Sequence, residues 1–129
     1  MFERLLAMGY IDTTDLPSNS HWQARCAGRL ACWLTSEHYF TFGIMITPPT
    51  HRSWSMQATL VLAAFEQGWD CALEKRGDEW ILWSYYSNEL DDDTLTSSIQ
   101  LQLALARYLE RDMLKIAPAN KPRVWRKKL

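Results

Sequence analysis

The chain predicts an α+β domain: one antiparallel sheet of about five strands with three helices, in the order helix, two or three strands, helix, hairpin, helix. Three segments carry that expectation. In "HYFTFGIMIT", Phe40, Phe42, Ile44 and Ile46 alternate with Tyr39, Thr41, Gly43, Met45 and Thr47, the two-residue period of a strand with one face buried. "WDCALEK" and "EWILWSYYS" flank "RGD", whose Gly77 suits a positive-φ hairpin position. From Asp91 onward a capped, acidic helix start leads into a wide apolar stripe, with Leu95, Ile99, Leu103 and Ala106 flanked by Leu101, Leu105, Tyr108 and Leu109.

The remaining elements follow in order. "MFERLLAMGYID" sets Phe2, Leu5, Leu6 and one of Met8 or Tyr10 on one side of a short helix that Gly9 ends, and "TTDLPSNSH" reads as a loop. Trp22 to Thr35 reads as extended chain, with Cys26, Gly28, Leu30, Cys32 and Leu34 on one face and Arg29, Ala31 and Trp33 on the other. It should pair with the next strand through a turn near Ser36 and Glu37. Pro48 and Pro49 end that strand, Ser53 or Ser55 serves as an N-cap, and Gly68 stops the middle helix. Between Met56 and Phe65 that helix is apolar nearly all round, so it needs cover on two sides. The last helix runs to Lys115, before Pro118.

A length of 129 residues suits a single domain over 1–117, with 118–129 as a basic, flexible tail. An apolar fraction of 47% with seven Trp argues against disorder. The longest apolar run, near "LVLAAF", is too short to cross a bilayer, so no membrane insertion is expected. The net charge of −1 conceals an asymmetry: Lys121, Arg123, Arg126, Lys127 and Lys128 sit in the tail, leaving 9 basic against 15 acidic residues in the body, a balance of −6. A body of that sign repels nucleic acid. Cys26, Cys32 and Cys71 are an odd number without metal-like spacing, and no basic segment followed by an apolar run opens the chain, so reduced thiols in the cytoplasm are expected.

Candidate chemistry is sparse. His21, His38 and His51 form no His-x-x-x-His pair, there is no Cys-x-x-Cys, and no glycine-rich phosphate loop occurs. The cysteines fall among apolar strand residues, as packing thiols do, and Asp91 to Asp93 suit a helix start better than a cation site. We therefore expect no enzyme activity, metal or cofactor. What is left over is apolar surface: Ile81, Trp83 and Tyr85 on the second face of a strand whose other face carries Trp80, Leu82, Ser84 and Tyr86, the all-round middle helix, and Trp33 and Trp54. Such surplus marks contact with another chain.

This element order, together with "WILWSYYSNELDDDTLTSSIQLQLALARYLERDML", resembles the class I type III secretion chaperones of the Tir-chaperone and Yop-chaperone type. There an apolar strand leads through a short polar link to an acidic helix start, as Leu90 to Thr94 do here, and then to a long helix. The resemblance covers 1–117 by pattern and is strongest from Phe40 to Met113. It implies a bacterial, cytoplasmic, virulence-associated protein that dimerises with itself or with a second small chaperone. Its client would be the N-terminal segment of a secreted effector or gatekeeper protein, held in extended form. Carried over by position, the dimer contact would use Leu60, Val61, Ala64, Trp69, Cys71 and Leu73, and the client would meet Phe2, Leu5, Leu6, Trp33 and Phe40. The second-face residues Ile81, Trp83 and Tyr85 would join the client surface. Two other classes share the composition: a small acidic immunity or antitoxin-like protein, and an aromatic-lined domain for a small ligand.

Overall fold

The alternating patterns of the strands between Tyr39 and Ser87 decide little by themselves; the register between strands decides which side chains meet. The computed structural model describes residues 1–18, 20–64, 66 and 70–113. Its elements are α1 (Phe2–Ala7), β1 (Ile11–Asp12), β2 (Ala24–Cys26), β3 (Arg29–Thr35), β4 (Tyr39–Ile46), α2 (Trp54–Ala64), β5 (Cys71–Arg76), β6 (Glu79–Ser87) and α3 (Asp92–Arg107). A π-helical turn, Tyr108–Asp112, continues α3. The strands form one antiparallel sheet in the order β1-β2-β3-β4-β6-β5.

Among the described residues the α+β class and the three helices are as expected, and the sheet has six strands where about five were expected. Two local features account for the difference. The two-residue β1 adds to β2, pairing Ile11 with Cys26. The stretch Trp22 to Thr35 is also divided, because Ala27 and Gly28 take φ of 51° and 82° and fold the chain into a tight hairpin in which Ala24 pairs with Ala31. That turn corrects the expected facing: Cys26 lies with Ala24 and Ala31 on one side of the sheet, and Leu30 and Cys32 lie on the other. Elsewhere the turn at Ser36 closes onto the Tyr39 carbonyl at 2.9 Å, and Gly77 turns the β5–β6 hairpin at φ 63°.

All three helices cover one face. Phe40, Phe42, Ile44, Ile46, Leu82 and Tyr86 form its floor, roofed by Leu5 of α1, Trp54, Ala58 and Leu62 of α2, and Leu95, Ile99 and Ala106 of α3. Trp54, Ala58 and Leu62 recur every four residues, so α2 buries one stripe and turns other apolar side chains outward. Asp91 caps α3 by accepting the Thr94 N–H at 2.7 Å, ahead of Asp92 and Asp93 in the first turn. Gln102, buried, fixes α3 to the sheet: its amide donates to the Phe42 and Leu82 carbonyls at 2.9 and 3.1 Å, and its carbonyl oxygen accepts from the Tyr86 hydroxyl. Every polar atom of that side chain is satisfied, so its burial is tolerated. The turn after α3 is tied down by Arg29, which donates to Glu110 at 2.6 and 2.9 Å, and by the Trp54 indole N–H, which donates to the Leu109 carbonyl at 2.7 Å.

The opposite face is half covered. The chain between β1 and β2 lays Leu16 and Trp22 over Leu30, Cys32 and Ile81, with Met45 and Trp83 at the margin. The Trp22 indole N–H donates to Glu79 at 3.2 Å, which holds this cover to β6. The expected Gly68 stop, the Lys115 helix end and the 118–129 tail fall outside the described residues.

Candidate functional site

Three apolar surfaces remain open among the described residues. The first lies at the β5 end of the sheet. Since β5 is the last strand of the sheet, one side of its backbone has no strand beside it among the described residues, and α2 packs against β5. On the outer side of α2, Met56 and Leu60, one turn apart, are 65% and 61% exposed.

The residues expected at a dimer contact divide here by depth. Leu60 and Ala64 are exposed on α2, while Val61 on α2 and Cys71 and Leu73 on β5 are half-buried against the core. Trp69 lies outside the described residues. Met56 was missed, although its place four residues before Leu60 is the signal that would have found it.

The second surface is the uncovered half of the back face. Tyr85 is exposed and stacks on exposed Tyr39, with ring centroids 4.5 Å apart. Through β4, Thr41 pairs with both Tyr85 and Leu34, and Leu34 is 67% exposed. The sequence reading had Tyr85 in this role but not Tyr39 or Leu34. Trp83 is only half-buried, and its indole N–H donates to Glu74 at 3.0 Å, a carboxylate that Arg76 also holds at 2.8 Å.

Three residues expected to touch a client are corrected by their burial. Leu5, Phe40 and Ile81 have no exposed surface, because Leu5 is the residue that α1 packs into the helix-side core, that core encloses Phe40, and the β1–β2 chain covers Ile81. Phe2 and Trp33 stack on each other at 5.0 Å and are half-buried, with Trp33 resting on Phe40 and Phe42. Leu6 is exposed at this corner. Phe2, Leu6 and Trp33 thus make a smaller apolar corner at the far end of the helix layer.

The polar groups offer little nucleophilic chemistry. Burial pushes the Cys26 and Cys32 thiols up to about 11, and it raises Cys71 as well, against a hydrogen bond to Ser84. All three are protonated at neutral pH, and the thiolate is the reactive form. Among the described residues no group of three or more His, Cys, Asp or Glu is placed to hold a metal ion, and no helix is long and apolar enough to cross a membrane. No family model, curated protein or solved structure matches the chain.

Proposed function

We propose that the protein is a non-enzymatic secretion chaperone: it pairs with itself or with a second small chaperone, and holds the N-terminal segment of a secreted effector or gatekeeper protein extended until export. The observations that support this best are the exposed Met56 and Leu60 on the outer side of α2, a helix that packs against β5, and the edge of β5 that no strand pairs among the described residues. An unpaired strand edge offers backbone hydrogen bonds, and exposed apolar side chains offer apolar contacts. The Leu34, Tyr39 and Tyr85 patch then serves the client, because a disordered segment gains affinity by laying successive apolar residues on such a surface.

Pairing is tested by sedimentation equilibrium at micromolar concentration. We expect a dimer, weakened at least tenfold by Met56→Asp with Leu60→Asp, two exposed positions whose change should spare the fold. A wild-type protein that is monomeric alone but forms a one-to-one complex with a co-expressed small chaperone would support the heterodimer instead. A monomer that stays monomeric with every such partner would overturn the pairing. For the client arm, protein purified from its native host is analysed by mass spectrometry, and hydrogen exchange of the bound chain is measured. Slow exchange only in an N-terminal segment supports the chaperone; a client folded throughout supports an immunity-type role.

A further inference from the structure

A cavity of about 540 Å³ opens between the β2–β3 turn, the end of β4 and the turns that finish α3. Four charged side chains line it: Arg29, Arg107, Glu110 and Arg111. Glu110 is already committed. It accepts both Arg29 hydrogen bonds and the Thr47 backbone N–H at 2.6 Å. Burial works against its ionisation, but these donors and the charges of Arg29 and Arg111 outweigh that and hold its carboxyl below the usual range. One acid therefore answers one base, while Arg107 and Arg111 make no ion pair or side-chain hydrogen bond among the described residues.

Two like charges four residues apart repel mildly, and the carbonyl end of a helix offsets this, so the pair is tolerable without a ligand. Glu110 answers Arg29, but the helix end does not account for the open space on the side-chain side of Gly28, at φ 82°, which lines the same cavity. The π-helical turn that carries Glu110 and Arg111 belongs to a class of backbone distortion frequent at functional sites.

We propose that this cavity binds a phosphoryl dianion, as the monoester of a small molecule or as free phosphate. Arg107 and Arg111 hold the phosphoryl oxygens, and the Arg29–Glu110 pair forms a fixed wall. The count of three arginines and one glutamate leaves two positive charges, which suits a phosphoryl group of about −1.5 to −2 better than a single carboxylate. The volume falls within the range of small-molecule sites and leaves room for more than a bare ion, which favours the ester. A long polyanion is disfavoured by the acidic body around the site.

The test follows the arginine Nε–Hε signals of full-length protein by NMR during titration with inorganic phosphate, with AMP, and with chloride at matched ionic strength. We expect the Arg107 and Arg111 signals to shift saturably with phosphate and not with chloride, and AMP to bind at least fivefold tighter than phosphate. Equal affinity for the two would assign the site to free phosphate. The R107Q/R111Q variant, changed at two exposed positions, should lose at least tenfold in phosphate affinity. Signals that respond equally to chloride and phosphate, or a folded double variant that binds phosphate as the wild type does, would overturn the proposal. Should the variant not fold, the wild-type titration decides alone.

Discussion

Gly43 explains where its neighbours can sit. A Cβ added there would come within 2.7 Å of Ile81 Cγ2 and 2.8 Å of Trp83 Cε3, so the absent side chain is the space those two residues occupy. Gly43→Ala should therefore cost about 1–3 kcal/mol by overpacking. Urea denaturation measures it, and an unchanged midpoint would mean that Ile81 and Trp83 move aside freely. A second residue sets an acid limit. Glu110 has its folded pKa depressed below the ordinary 4.5, so its contribution to stability is fully present above 4.5 and is lost as pH falls through the folded value. The melting temperature should drop across that acidic window, and Glu110→Gln should flatten this part of the drop while lowering stability at neutral pH. A Gln variant with the same acid profile as the wild type would remove Glu110 from that role. Neither residue was legible in advance: alternation placed Gly43 on a face, but only register put it opposite Trp83, and nothing local joins Glu110 to Arg29, 81 positions away.

At the scale of elements, β4, the β5–β6 hairpin and the start of α3 were legible because each carries its own signal: strict alternation, a glycine turn, and a cap with carboxylates behind it. The β2–β3 hairpin was not, because its turn begins with Ala27 at positive φ, where a glycine or asparagine is the usual mark. The two-residue β1 is too short to show a period, and the π-helical turn shares the composition of the helix it extends. For β6, alternation separated Trp80, Leu82 and Tyr86 from Ile81, Trp83 and Tyr85 without saying how deeply each set lies. In the structure the second set is graded from buried Ile81 through half-buried Trp83 to exposed Tyr85. Truncation should follow that gradient. Leu82→Ala and Ile81→Ala should each cost roughly 2–5 kcal/mol, as buried aliphatic truncations do, and Tyr85→Ala should change stability far less while weakening binding of the proposed client. Equal losses at Ile81 and Tyr85 would mean that the open half of the face is covered in solution.

For the whole molecule, the question is why one sheet needs cover on two sides. The helices fill one face, and an antiparallel sheet can leave its other face to water only where polar residues alternate. Here the back face carries Leu30, Cys32, Ile81 and Trp83, so the β1–β2 chain crosses it with Leu16 and Trp22, and leaves Leu34, Tyr39 and Tyr85 outside its reach. If Trp22 is the main cover, its removal should open this side alone. Cys32 and Cys26 report the two sides separately, since both thiols are held protonated by burial but Cys32 belongs to the back cluster and Cys26 to the helix-side core. Maleimide labelling followed by site-resolved mass spectrometry should find both slow in the wild type. Trp22→Ala should accelerate Cys32 severalfold and leave Cys26 protected. Equal acceleration at both thiols would signal general unfolding, and no acceleration at either would show that Leu16 and the Glu79 side of β6 shield the back face without the indole.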